Sequence, residues 1–501
     1  MKSILTMLVC IFLVHPTFSQ SSIGIFDENE DIGQPSKSGS TSFDEASQTY
    51  TLSGAGYNIW FERDEFQFLH KKQSGDFIIT ANFEFVGEGV DPLRKAGLMI
   101  RESVDDDASH VSAAVHGDGS TVLQRRVLKG AYMRDPEDDI SAPKKGYEIL
   151  QLERKGDIIT MRAAHWGEHL QEIGSYEMSS LPHEVYTGLF ITSHNEDMVE
   201  EARFWNVRIT EPVENNYDGF MACRLETMNV MDGKRKVIYE TSAEDRIESP
   251  SWSPDGQHLL TTMDGLLYTI PLNGGEPEKL NTGDIVRINN DHGYSFDGDQ
   301  LAITSSQNVE LGPRVYVLPA EGGTPRLLTE KGPSYFHGWS ANDREVYYVA
   351  QRDTTIFNIY KIPVKGGEEE QITDNTSGYV DGPEESPDGK YIYYNDNQTG
   401  TMQIWRMKKN GTEEEQLTFD EYNDWFPHVS PDGEWVAFLS YEKDVPPDAH
   451  PSYRRVMIRL MSLSGGAPKV IANIYGGQGT MNVTSWSPDS KSIAFVSNSK
   501  K

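Results

Sequence analysis

One turn signature returns six times in the second half of the chain, and no other feature limits the possible folds as strongly. The copies are Trp252-Ser253-Pro254-Asp255-Gly256, Tyr294-Ser295-Phe296-Asp297-Gly298, Trp339-Ser340-Ala341-Asn342-Asp343, Glu385-Ser386-Pro387-Asp388-Gly389, Val429-Ser430-Pro431-Asp432-Gly433 and Trp486-Ser487-Pro488-Asp489-Ser490. Their serines stand 42, 45, 46, 44 and 57 residues apart. Pro fixes φ, Asp bonds its own backbone and Gly accepts φ > 0, so each copy is a turn. Strand-like runs follow at once, such as Tyr391-Ile392-Tyr393-Tyr394 and Trp435-Val436-Ala437-Phe438-Leu439. A second turn comes next, for example Gly366-Gly367 or Gly465-Gly466, and then a last short strand such as Gln416-Leu417-Thr418. Four strands in each unit of about 40–45 residues predict propeller blades of the WD40-like kind. Only fourteen residues follow Ser490's neighbour Ser487, enough for the inner half of a blade. The outer half is expected from Met221–Val230 and Lys234–Glu240. The count therefore predicts a six-bladed β-propeller over residues 214–501, closed by a two-plus-two strand clasp that leaves no long open edge.

The Trp-Ser-Pro-Asp-Gly turn, the aliphatic-Ala-Phe strand and the Gly-Gly-x-Pro-x-x-Leu-Thr ending resemble the TolB-like propeller repeats over roughly residues 216–501. That resemblance implies the fold and leaves the activity open, because such rings bind, gate and catalyse alike.

Residues 21–213 show no repeat. Short alternating runs, such as Phe77-Ile78-Ile79-Thr80-Ala81-Asn82-Phe83 and Val111-Ser112-Ala113-Ala114-Val115, predict a β-sandwich. The stretches Tyr57-Asn58-Ile59-Trp60, Asp64-Glu65-Phe66-Gln67-Phe68 and Ala96-Gly97-Leu98-Met99-Ile100-Arg101-Glu102 are similar to a concanavalin-A-like jelly-roll family. The resemblance implies a jelly-roll sandwich and glycan recognition in a secreted bacterial protein that handles polysaccharides.

Met1–Gln20 has a Lys at position 2, an apolar run from Ile4 to Val14 and a small polar exit, so residues 1–20 read as a secretory signal peptide. The run is too short to span a bilayer. A periplasmic or extracellular location without membrane insertion is expected. With 77 acidic and 45 basic residues the formal charge is −32, which argues against nucleic acid as a partner. Highly anionic polymers are also disfavoured unless a local basic patch receives them. Lys71-Lys72, Arg94-Lys95, Arg125-Arg126 and Lys144-Lys145 are the candidates for one.

Propeller ligands sit at a channel mouth lined by the inner strands. Five residues before each signature serine stand Glu248, Asn290, Tyr335, Asp381, Trp425 and Asn482; three before stand Pro250, His292, His337, Pro383, Pro427 and Thr484. Strict alternation would put both sets on one face. With their neighbours, the candidate ligand-binding residues are Glu248, Asn290, His292, His337, Asp381, Glu384, His428 and Asn482. His292 and His337 are also candidate ligands of a divalent metal, with Asp381 or Asn290 completing the shell. That constellation is loosely similar to the metal-binding channel of oligogalacturonate-lyase propellers, which have seven blades and more histidines. The competing reading is a wet channel whose polar residues hold water. Trp60 and Trp166 are candidate sugar-stacking residues, with burial in a core as the alternative. His110 and His116 are expected to face solvent or loop. The insertion Lys443–Arg455, which lengthens the last interval, is either a lid on the channel or surface decoration. No Gly-x-Ser-x-Gly elbow, His-Glu-x-x-His or phosphate-binding Gly loop occurs. Three functions stand open: glycan recognition, a metal-assisted lyase or glycoside-processing enzyme at the mouth, and a scaffold for an envelope protein partner.

Overall fold

The computed structural model describes residues 23–133, 139–352 and 355–500. The expected signal segment, residues 1–20, lies outside the described residues.

The first half is two seven-stranded antiparallel sheets. One runs, in spatial order, through Glu28–Ile32, Phe66–Ser74, Glu184–Thr192, Lys95–Arg101, His110–His116, Thr121–Arg126 and Ile140–Ser141. The other runs through Gln171–Glu177, Ile158–Ala164, Ile149–Lys155, Phe77–Val86, Asn195–Thr210, Thr49–Gly56 and Ser40–Asp44. Leu69, Leu98, Val111 and Leu189 from the first meet Ile79, Leu152, Met161 and Phe204 from the second in one shared core, all fully buried. Each such side chain stabilises the fold by about 1.5–3 kcal/mol over its exposed state.

Period-two burial holds at Thr49–Gly56 but fails at Lys95–Arg101, which is buried throughout. The reason is a second apolar cluster on the outer face, where Ile59 and Met133 lie over Phe66, Met99 and Phe190. Charges trapped beneath it are paired. Arg126 holds Asp64 through two bonds of 2.7 Å, Arg94 reaches Glu200 at 2.6 Å, and Lys95 Nζ donates to Asn58 Oδ1 at 2.8 Å. Burial lowers the Lys95 ammonium to about 8. Arg94, Lys95 and Arg126 are therefore internal and are not available to a surface basic patch. His110, expected near solvent, is fully buried, and burial drives its imidazole down to about 3, with Arg126 and Arg101 opposing Asp64. His116 is half-buried rather than solvent-facing, and burial lowers it to about 4.

The second half is a six-bladed propeller. Five blades are complete four-stranded antiparallel sheets. Their inner strands are Ile247–Trp252, Ile288–Tyr294, Ser334–Trp339, Val380–Glu385 and Asn423–Val429, and these contact one another around the ring. The sixth blade orders Arg235–Glu240, Ala222–Asn229 and Ser492–Ser499 side by side. Its innermost strand is reduced to a bridge between Trp486 and Ile493. Ala222 lies opposite Ser499 and Asn229 opposite Ser492, so the last strand is held by the first strand of the ring, as the strand count required.

The signature is a hydrogen-bonding device. In every copy the serine Oγ donates to the Asp or Asn two residues on, at 2.5–2.9 Å. The same Oγ accepts the backbone N–H five residues on, at 2.9–3.1 Å. The turn and the next strand are thus fixed by one hydroxyl. Two signature tryptophans also staple neighbouring blades: Trp339 Nε1 donates to Gly293 O at 3.0 Å and Trp486 Nε1 to His428 O at 2.8 Å.

The halves touch. Glu211 N donates to Ser499 Oγ at 3.0 Å, and Lys500 N donates to Glu211 O at 2.9 Å. Gln48 exchanges two hydrogen bonds with Val237. The Trp166 ring lies so close to Gly233 that a Cβ there would fall 2.0 Å from it.

Candidate functional site

Each of the five inner strands breaks register with its neighbour just before the signature. The breaks lie between Glu248 and Ser251, Ile288 and His292, Phe336 and Gly338, Asp381 and Glu384, and Trp425 and His428. Ser249, Gly382 and Phe426 take φ of 49°, 61° and 56° at these points. A bulge re-aims side chains. Strict alternation therefore does not hold here, and Asp381, Asp291, His337 and Glu384, at five, four, three and two residues before their serines, all enter the polar groups of the inner strands.

Two linked sets result. In one, His337 Nε2 lies 2.8 Å from Asp381 Oδ1. Asp291, four before its serine and 4% exposed, belongs to the same electrostatic group. Burial pushes Asp291 up to about 6, partly offset by His337 and by the Asn289 amide, which donates to it at 2.5 Å. Burial acts the same way on Asp381, but His337 overrides it and holds Asp381 below the usual range. Burial alone would lower His337; Asp381 and Asp291 raise it. Burial also raises Glu248, against its ion pair with Arg246. In the other set, Glu384 accepts from Thr484 Oγ1 at 2.8 Å and from Val429 N at 3.0 Å, and pairs with His428 at 2.8 Å. Asn482 accepts from Gly479 N at 2.8 Å, contacts Ser249 Oγ at 3.3 Å and donates to Gln478 at 2.8 Å.

His292 stands apart from both sets. It is fully buried, its polar neighbour is the Leu260 backbone, and burial lowers it to about 4. His337 is engaged by Asp381. Among the described residues, three metal-donor atoms converge within 4.8 Å at Glu28, Glu30 and His70, on the first sheet of the other half.

Among the described residues, eight buried polar atoms on inner-strand segments make no hydrogen bond: Ser251 Oγ, Trp252 Nε1, Asn290 Nδ2, both ring nitrogens of His292, His337 Nδ1, Trp425 Nε1 and Ser485 Oγ. Orphaned polar atoms cost about 1–3 kcal/mol each, so each marks a place where a ligand or ordered water can complete the bonding.

An aromatic belt flanks this group. Tyr335, Phe357, Tyr379 and Trp425 follow one another at ring separations of 5.9, 5.7 and 5.6 Å. The first three are half-buried. The insertion Lys443–Arg455 reaches the belt: His450 sits 4.4 Å from Trp425 and 5.4 Å from Phe426, and hydrogen-bonds to Gln478 at 2.6 Å. Tyr335 and Trp425 stand five residues before their serines but carry no further signal in the sequence, and nothing local points to Phe357, Tyr379 or His450.

The stacking candidates divide. Trp166 is taken up against Gly233 between the halves. Trp60 is half-buried with Lys95 Nζ 5.8 Å from its ring. Beside it lies a group that sequence reasoning missed: Tyr57 stacks with Phe61 at 6.4 Å and 1°, and Phe61 meets Tyr132 at 5.7 Å. Phe61 and Tyr132 are 41% and 55% exposed. The close spacing Tyr57-x-x-Trp60-Phe61 was the available signal.

No family model matches the chain. An uncharacterized protein of Agrobacterium fabrum is 44% identical over 280 residues, covering 56% of this chain and 93% of that protein. A solved structure from Agrobacterium tumefaciens, provisionally named TolB, is 42% identical with a TM-score of 0.53, covering 56% of this chain and 99% of that one. Six closed blades, a repeated Ser-Pro-Asp-Gly turn and relatives matched over nearly their whole length together place this chain in the family of TolB-like β-propeller proteins.

Proposed function

We propose that the protein recognises carbohydrate outside the cytoplasm, with the propeller mouth as its binding site. The observation that carries this is the set of unbonded buried atoms Ser251 Oγ, Asn290 Nδ2, His337 Nδ1 and Ser485 Oγ beside the belt Tyr335–Phe357–Tyr379. Hydroxyl-rich rings need both parts: polar partners around the edge and an aromatic face to lie on. The charge of −32 favours neutral sugars over polyanions. On this reading the first half is a concanavalin-A-like jelly-roll sandwich spanning 21–213, and Tyr57, Phe61 and Tyr132 give it a second sugar face. Residues 1–20 direct export. No helix among the described residues is long and apolar enough to cross a membrane. On this reading the insertion Lys443–Arg455 is a lid, its His450 packed against Trp425 beside the belt.

A glycan array probed with the full chain tests the reading. Binding to neutral glycans that weakens at least tenfold in Tyr335→Ala and His337→Gln is the expected result. Silence across neutral and acidic glycans removes it.

A second reading, an enzyme at the same mouth, draws on the opposite shifts of Asp291 and Asp381, the pattern that separates an acid from a base. In a metal-assisted version His337 would have to give up Asp381, whereas both ring nitrogens of His292 are unbonded among the described residues. Polysaccharide turnover, or stoichiometric metal lost in His292→Ala/His337→Ala, would favour the enzyme. Family membership favours a third, a scaffold for an envelope protein, which predicts capture of one defined partner and no glycan signal.

A further inference from the structure

Between the two halves lies a cavity of about 110 Å³. Five arginines line it: Arg162 and Arg208 from the first half, Arg224, Arg235 and Arg455 from the second. His169, Asn473 and Ser497 complete much of its polar wall. Arg208 and Arg235 both clamp Glu226, which is fully buried; Arg162 and Arg455 share Glu153, which is 14% exposed. Two carboxylates thus serve four guanidinium groups. Arg224 turns to Glu240, and Arg162 also to Glu172, but those carboxylates are 61% and 59% exposed and are screened by water. Glu442, the remaining acid on the wall, is held by His169 at 2.7 Å.

Five guanidinium groups are matched by Glu153, Glu226 and Glu442 together with Glu172 and Glu240, so the balance is reached only through two carboxylates that stand largely in water. Two donors are also free. Arg224 bonds through Nε and Nη2, and Arg235 through Nε and Nη2, so the Nη1 of each meets no acceptor among the described residues. The arginines feel one another: burial lowers Arg224 and Arg235, and Arg208 lowers both further. Guanidinium groups gathered this closely, four of them no more than one-fifth exposed, gain from an anion that supplements their water-screened partners.

We propose that this seam is a binding site for one small oxyanion, held by guanidinium groups from both halves. The volume admits a tetrahedral anion with a few waters. The planar fork of arginine suits sulfate, phosphate and carboxylate oxygens alike. The His169–Glu442 pair, one-third exposed on each side, stands at the rim and offers the way in. Because the ligand would bond to both halves, it would tie them together.

Calorimetric titration of the full chain with sulfate, phosphate and glucuronate, at ionic strength held constant with chloride, is the test. One saturable site per chain is expected. Sulfate or phosphate binding identifies an inorganic anion; binding of glucuronate alone identifies an acidic sugar. Arg224→Gln should weaken either at least tenfold. This variant is the informative one because Arg224's partner Glu240 is exposed, whereas losing Arg208 or Arg235 would strand buried Glu226. Arg224→Lys, which keeps the charge, should lose less than Arg224→Gln. Failure of all three anions to saturate wild-type protein, or equal binding by a folded Arg224→Gln variant, overturns the proposal. Neither outcome bears on the propeller mouth.

Discussion

Asp291 and Asp381 sit around one histidine and titrate in opposite directions. Burial raises Asp291 to about 6, so its ionisation costs the folded state more as pH climbs from the ordinary carboxylate range through 6. Asp381 is lowered, so its contribution is present above its ordinary value and is lost only as pH falls through the depressed one. Asp291→Asn removes the first cost. Its stability gain over wild type should therefore be near zero at pH 4 and grow by pH 7, on the order of 2 kcal/mol. Denaturant melts at the two pH values check this, and a gain independent of pH would refute the assignment. The residue types at this site were readable in the chain, because Glu248, Asn290, Asp381 and Asn482 stand five residues before a repeated serine and His337 three before. Their pairings were not. Nothing local says that His337 reaches Asp381 on the next blade while His292 lies buried near Leu260 of the preceding one.

The inner strand owes its chemistry to the bulge. Gly382 takes φ of 61°, and a Cβ there would stand 3.0 Å from Asn395 Oδ1 and 3.2 Å from Phe426 Cα. Gly382→Ala should cost about 1–2 kcal/mol through backbone strain and crowding. It should also move Asp381 away from His337, lowering the imidazole pKa followed by NMR. A variant with wild-type stability and an unchanged His337 titration would show that the bulge does not set the pair. Turns, strand order and blade number were legible because Ser-Pro-Asp-Gly acts within a few residues. The bulges carry no such signature: the residues at φ > 0 are Ser249, Gly382 and Phe426, with no shared identity. For the same reason His450 could not be placed, since an insertion has no repeat to be aligned with.

For the molecule as a whole, the sixth blade decides whether the ring exists. Ser492–Ser499 pairs with Ala222–Asn229, and its Ile493, Phe495 and Val496 are buried in the adjoining cores. Truncation after Asp489 should abolish cooperative unfolding of the propeller in near-ultraviolet circular dichroism. A truncated ring that melts as wild type would mean that closure does not depend on this strand. The seam between halves was invisible in sequence, because Glu226 meets Ser497, Glu153 meets Arg455, and Glu211 meets Ser499, all across long stretches of chain. Only folded geometry brings such charges together.

The antiparallel pairing of Ala222 with Ser499 has a mechanical corollary. Tension applied to the two ends of the ring would load the first hydrogen bonds alone and open the clasp like a zipper, one rung after another. Glu211 lies across that starting rung, bonded to both Ser499 and Lys500, and so acts as its latch.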